Sequence, residues 1–221
     1  MIEIGPGEVW MAGAHTFLCG DLEDGAFDRL LSLLPTAPSM VYSDPPWNAG
    51  NCRYWRTHAG VGRSVDFEAF SAILAHGIQA SGVREAWLEM GLSETPRWLE
   101  IVRPDLPPHA GQWQVYYGPP VTAGPYKGCV GRPNYLHRFS DWCDVDSDPT
   151  GLKGERVTEW AFRNSAVSGG IVVDPCVGRG MTVRMAHRFG MICFGNELNP
   201  KRLAVLLEWL RRAGYEPERV R

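Results

Sequence analysis

Residues 170–182 read Gly170-Ile-Val-Val-Asp174-Pro-Cys-Val-Gly178-Arg-Gly180-Met-Thr182. A short β-branched run ends in an acid, a glycine-rich turn follows, and an apolar helix is predicted over 181–189, closed by Gly190. In an open α/β sheet, ligands bind beyond the carboxyl ends of the strands. Glycines there let a ligand approach the backbone, and the helix N-terminus favours an anionic group. The next apolar run, 191–195, leads to a second acid, Glu197. It stands about twenty residues on, where a carboxylate can hold both hydroxyls of a ribose. Turn and acid together point to a nucleoside-containing cofactor, against the plainer reading of a tight turn with a capping acid.

Outward from this unit, strand-like and helix-like segments alternate. Strands are predicted at 15–19, 39–43, 84–90 and 112–117. Asp24 heads a helix through Phe27, Leu30, Leu31 and Leu34, stopped by Pro35, and Asp66 caps one carrying Phe67, Phe70, Ile73 and Leu74. Further helices are predicted at 94–102 and 155–167, and the last carries Leu203, Leu206, Leu207 and Leu210 on one stripe. This alternation argues for a three-layer α/β fold around a mostly parallel sheet. The stretch 104–140 is different, being rich in Gly, Pro and aromatics with no acid between Asp105 and Asp141. Asp141, Asp144, Asp146 and Asp148 then form an acidic run, read as a solvated loop.

Composition narrows the class. A chain of 221 residues with 44% apolar and 21% charged residues is globular and fits one domain. A net charge of -3 excludes a protein that coats nucleic acid through bulk charge, though not a local basic groove. No run approaches the length of a membrane span, and the first fifteen residues lack a signal pattern, so a cytoplasmic protein without membrane contact is expected. Six cysteines without CxxC spacing argue against zinc or a disulfide framework, and the six histidines show no ligand spacing. No metal site is expected.

The second chemical signal is Ser43-Asp44-Pro45-Pro46-Trp47, directly after an apolar strand. Two prolines after an acid make a stiff extended turn. It aims the Asp44 carboxylate and neighbouring carbonyls at one point, with no competing Pro N–H. Acceptors fixed in this way suit an exocyclic amino group, and the flat Trp47 can stack on a base.

Asp44-Pro45-Pro46-Trp47 resembles the catalytic motif of amino-methyltransferases that act on adenine N6 or cytosine N4 in nucleic acid. Asp174-Pro175-Cys176-Val177-Gly178-Arg179-Gly180-Met181-Thr182 resembles their turn that binds S-adenosylmethionine. Phe194-Gly-Asn-Glu197-Leu-Asn199-Pro200 resembles the following ribose motif, and Cys19-Gly-Asp21 resembles the turn that contacts the cofactor adenine. The catalytic motif precedes the cofactor motif, which is the permuted, β-class order. The resemblance covers roughly 15–210 and departs in places. Cys176 and Arg179 replace a Phe and a small residue. Gly151-Leu-Lys153-Gly154 lacks the proline of the family's lysine segment, so Arg179 is an alternative to Lys153 for the methionine carboxylate.

The resemblance implies a Rossmann-like methyltransferase with a mostly parallel seven-stranded sheet, helices on both faces and permuted motif order. It implies transfer of a methyl group from S-adenosylmethionine, leaving S-adenosylhomocysteine, to adenine N6 in DNA. Cytosine N4 and adenine in RNA are the near alternatives, because the same acceptors suit either amine. A small-amine methyltransferase and a non-catalytic nucleic-acid-binding module are the distant ones. Expected DNA contacts are Asn48, Arg53, Tyr54, Trp55, Arg56 and Arg63 in an acid-free loop after the catalytic turn, with Lys127, Arg132 and Arg138 in the middle. The core then uses most of one methyltransferase domain, 1–221, leaving about 104–149 as a small target-recognition insertion. That predicts a short or relaxed target sequence, or help from a second subunit as a homodimer.

Overall fold

The computed structural model describes residues 2–62, 66–83, 85–91, 127–130 and 155–220. Within them the strands are β1 (Val9–Ala12), β2 (His15–Cys19), β3 (Met40–Ser43), β4 (Ala86–Gly91), β5 (Lys127–Val130), β6 (Ile171–Asp174), β7 (Ile192–Glu197) and β8 (Pro217–Arg219). All join one sheet in the order β5-β4-β3-β6-β7-β2-β1-β8. The central strands β4, β3, β6, β7 and β2 are parallel, and β5 and β1 flank them antiparallel. The three-residue β8 pairs with β1 and extends the seven expected strands by one short edge.

The helices are α1 (Ala26–Ser32), α2 (Ala49–His58), α3 (Phe67–Ala80), α4 (Glu155–Ser165), α5 (Met181–Arg188) and α6 (Pro200–Arg212). On one face of the sheet, α1 and α3 bury Phe27, Leu30, Leu74 and Ile78 against Leu18, Val41, Leu88 and Val173. On the other, α4, α5 and α6 bury Phe162, Val183, Leu203 and Leu207 against Phe17, Tyr42, Val172 and Cys193. Leu203, Leu206, Leu207 and Leu210 are fully buried, as their spacing predicts. Each such side chain contributes about 1.5–3 kcal/mol relative to exposure. A Cβ at Gly77 of α3 would fall within the Phe27 ring of α1, so only glycine permits this approach.

Some local expectations are corrected. Asp24 does not cap α1. It lies in a one-turn 3-10 segment, Leu22–Asp24, capped by Asp21, and α1 starts after Gly25, whose φ is 79°. The polar stretch after Trp47 is not a loop, because most of it is α2. The predicted helix at 94–102, strand at 112–117 and acidic run at 141–148 lie outside the described residues. So does most of the 104–149 insertion, except β5, whose backbone pairs with β4 and lengthens the sheet. No helix among the described residues is long and apolar enough to cross a membrane.

The strand order sets the location of the site. From β3 the chain proceeds outward to β4, and from β6 it proceeds the other way to β7. The boundary between β3 and β6 is therefore a topological switch point, the place where open α/β sheets bind ligands beyond the strand ends. Asp44-Pro-Pro-Trp47 follows β3 and the glycine-rich turn follows β6, so the two motifs stand side by side there.

One buried polar contact holds β2 to β7. His15 is 4% exposed, and its Nδ1 accepts the backbone N–H of Cys193 at 3.0 Å, which requires the neutral ring. Burial pushes its pKa down to about 4 from 6.5, with the charge of His187 adding to the effect. The unfolded chain takes up this proton first, so the contribution is complete above pH 6.5 and is lost as pH falls from there through 4. The loss amounts to about 3 kcal/mol at most. Urea midpoints measured from pH 7 to pH 4 should fall steeply for the native chain and less steeply for His15→Asn, which keeps an acceptor but does not titrate.

Candidate active site

Asp174 ends β6 with its carboxylate fully buried. Its Oδ1 accepts the Ser43 hydroxyl from the end of β3 and the Cys176 backbone N–H, each at 3.0 Å. Its Oδ2 accepts the Thr182 hydroxyl from the first turn of α5. One carboxylate thus joins β3, the glycine-rich turn and α5. Thr182 is also fully buried, so Asp174 and Thr182 shape the turn from beneath. Gly178, at φ 59°, lies where the turn reverses. Gly180 caps α5 at φ 92°, and a Cβ there would meet Leu206 and Val183 at 2.8 Å. Its absent side chain lets α5 approach α6. Cys176 and Arg179 are half-buried on the turn, and Pro175 is buried.

Asp44 and Trp47 are half-buried beyond β3, and Pro45 between them is buried. The Trp47 indole N–H donates to Asp44 Oδ1 at 2.9 Å, and its ring packs partly on the apolar cluster under α1 and α3. The indole therefore orients the carboxylate. The Trp47 backbone N–H donates to Asn51 Oδ1 at 3.3 Å. Asn48, named among the expected DNA contacts, caps α2 by accepting the Asn51 N–H at 2.9 Å.

Glu197 ends β7 and is 7% exposed. Its Oε1 accepts the Asn199 N–H at 2.8 Å. Burial pushes its carboxyl above the usual carboxylate range, and the Asp174 charge adds to that. The nearby Arg202 and the N–H groups of Asn199 and Gly178 oppose it. Asn199 caps α6 through the Lys201 N–H at 2.9 Å and donates its amide to the His58 carbonyl at 3.0 Å.

Asp21, after β2, is also tied into the protein. Arg56 of α2 donates to Asp21 Oδ1 at 3.0 Å and to Oδ2 at 2.8 Å, a two-pronged pair, and lies 3.2 Å from Glu23. The Arg56 side chain is 6% exposed. This corrects its assignment as a phosphate contact, because the guanidinium is turned inward onto two acids. Trp55, also an expected DNA contact, is half-buried with the Arg202 guanidinium 4.2 Å from its ring centre. Arg53 and Tyr54 face solvent on α2. Arg63, Arg132, Arg138 and Lys153 lie outside the described residues, and Lys127 is described only as the backbone start of β5.

Sequence reasoning missed Asn196, which is 2% exposed. Its amide donates to the carbonyls of Gly20 and Pro175, both at 3.1 Å, bridging the turns that follow β2 and β6. Its Oδ1 finds no hydrogen-bond partner among the described residues. The available signal was position alone, a polar residue at a strand end beside Glu197. Burial pushes the Cys19 and Cys52 thiols up to about 12, so neither is poised as a nucleophile. Among the described residues no three His, Cys, Asp or Glu are placed to share a metal ion.

No protein family and no curated protein matches the chain by sequence. Solved structures do match in fold. A PvuII DNA methyltransferase, cytosine-N4-specific, is 12% identical with a TM-score of 0.64, over 87% of this chain and 84% of that one. A candidate DNA modification methylase from Thermus thermophilus, solved with S-adenosyl-L-methionine, is 16% identical with a TM-score of 0.57, over 90% and 93%. M1.HpyAVI, in its complex with SAM, is 11% identical with a TM-score of 0.56, over 87% and 98%. At these identities the likeness establishes the fold, and the chain has the α/β fold of these methyltransferases.

The clamp around Asp174 predicts a stability effect. Thr182→Val keeps the shape but removes a charge-assisted hydrogen bond at a buried carboxylate, which costs about 1.5–3 kcal/mol. The urea midpoint should drop with the slope unchanged.

Proposed function

We propose that this chain is a DNA methyltransferase that uses S-adenosylmethionine and acts on the N6 amino group of adenine. The observation that carries the reading is the meeting of the Asp44 turn with the strand-end acids Asp174, Glu197 and Asp21 across neighbouring parallel strands. The residues fit the cofactor. Glu197 is a desolvated carboxylate whose charge hydroxyl donors would stabilise. Asn196 carries a buried acceptor beside the same turns. A Cβ at Gly20 would crowd Asn196 Oδ1 at 3.3 Å, which keeps the backbone there bare. Asp21 would take the cofactor's adenine amino group and Glu197 its ribose. Arg179, at the start of α5, or Lys153 would face its carboxylate.

When bound, S-adenosylmethionine supplies an electrophilic methyl group. The chain positions the nucleophile. A base inside a duplex does not expose its amino group sufficiently, so the target leaves its stack. The Asp44 carboxylate and the Pro45 carbonyl accept the amino N–H bonds and direct the nitrogen lone pair toward the methyl. Pro46 keeps the turn extended, and Trp47 holds Asp44 in orientation through its indole N–H. Rate comes mainly from positioning and fixed dipoles. The proton lost from the methylated amine passes to Asp44 or to water. Arg53 and Tyr54, exposed on α2, would meet DNA in this reading. Lys127, Arg132 and Arg138 are proposed as further DNA contacts, and a second subunit as a supplement to them.

The test is transfer of radiolabelled methyl to DNA and to RNA, followed by nucleoside chromatography. N6-methyladenine in DNA is expected. N4-methylcytosine would move the target to the other amine, and label in RNA alone would change the substrate. Asp44→Ala should lower incorporation by about 10²–10³ while calorimetric binding of S-adenosylhomocysteine stays unchanged.

A further inference from the structure

The helix α2 has almost no apolar face, and its buried residues are Cys52 and Arg56. A ten-residue helix of this kind would be marginal alone, so its order depends on its tethers. At its start, the Trp47 N–H binds Asn51 and the Asn48 side chain caps the helix. Toward its end, Arg56 grips Asp21 with two hydrogen bonds, Trp55 lies against Arg202, and the His58 carbonyl accepts from Asn199. Asn199 in turn donates its backbone N–H to Glu197. One end of α2 is therefore fixed to the catalytic turn, and the other to both acids assigned above to the cofactor nucleoside.

We propose that α2 is a strut that transmits occupancy of the nucleoside site to the catalytic turn, with Arg56 as the positioning residue at its cofactor end. The inference rests on the assignment of Asp21 and Glu197 to the nucleoside. An ionised carboxylate has four acceptor positions; the Arg56 fork takes one on each oxygen and the Glu23 N–H a second on Oδ1. In the proposed assignment the Oδ2 side of Asp21 meets the adenine amino group while Arg56 stays bound. A nucleoside on Asp21 and Glu197 immobilises both anchors, which tightens α2 and fixes Trp47 against Asp44. Arg53 and Tyr54, on the exposed side of the same helix, are then presented to DNA in a set orientation.

Hydrogen–deuterium exchange on the full chain tests this, with S-adenosylhomocysteine as the probe. In the native chain, saturating probe should slow exchange across 49–58 at least fivefold. In Arg56→Gln that response should vanish, while peptides over 174–182 remain protected. At saturating cofactor, kcat should fall at least tenfold and by a larger factor than KM for cofactor rises. Arg56→Lys, which keeps the charge but loses the fork, should fall between, and it carries the same test should Arg56→Gln fail to fold. An unchanged response in either variant overturns the strut, as does a rise in KM alone. If 174–182 is protected in the native chain but 49–58 is not, or exchanges faster, the strut fails and the cofactor assignment stands. If neither peptide responds and calorimetry detects no binding, both fall.

Discussion

The Asp174 carboxylate sits fully buried at the switch point of the sheet, holding Ser43, the Cys176 N–H and Thr182. A charge so placed is tolerated only where hydrogen bonds replace its hydration. Here each donor comes from a different part: the strand that ends just before Asp44, the turn itself, and the helix after it. Removing the carboxylate would leave those buried donors to find other partners. The β3–β6 ladder sets the two strands side by side, and this one group ties the strand end, the glycine-rich turn and the helix after it together there.

The acids at the strand ends consequently have different tasks, although all occupy the same edge. Asp174 is internal scaffolding. Glu197 is also buried, but burial raises its pKa, so its environment compensates its charge incompletely. Asp21 is held by a guanidinium and retains a partly exposed edge. Asp44 is half-buried and aimed by an indole N–H. Burial and partner, more than residue type, separate a structural acid from one able to meet a ligand.

Much of the sheet was legible because its strands are apolar runs and its helices carry apolar stripes, as Leu203 to Leu210 shows. The motif pairs were legible because acids and prolines at strand ends have few other uses. The missing elements share a physical cause. β1 and β8 are too short to show alternation, and they exist by pairing with each other and with β2. α2 has no apolar period to read, since an ion pair, a cation–ring contact and two caps stabilise it. Arg56 was misread for the same reason. An arginine between aromatics in an acid-free segment looks like a phosphate contact until the fold brings Asp21, thirty-five residues earlier in sequence, against it.

A polar anchor at that position has a physical rationale. An apolar stripe on α2 would seat the helix on the core permanently and isolate it from events at the strand ends. An arginine between Asp21 and Glu23 makes the seating electrostatic and directional. In the proposed strut, that seating responds to what else Asp21 binds. The same choice removes one positive charge from the outward surface, where Arg53 remains. Near-neutral net charge in this chain thus conceals cations already spent inside: Arg56 on Asp21 and Glu23, and Arg202 over Trp55. Attraction for the proposed polyanionic substrate would then rest on local exposed cations such as Arg53, and it should weaken as salt screens them.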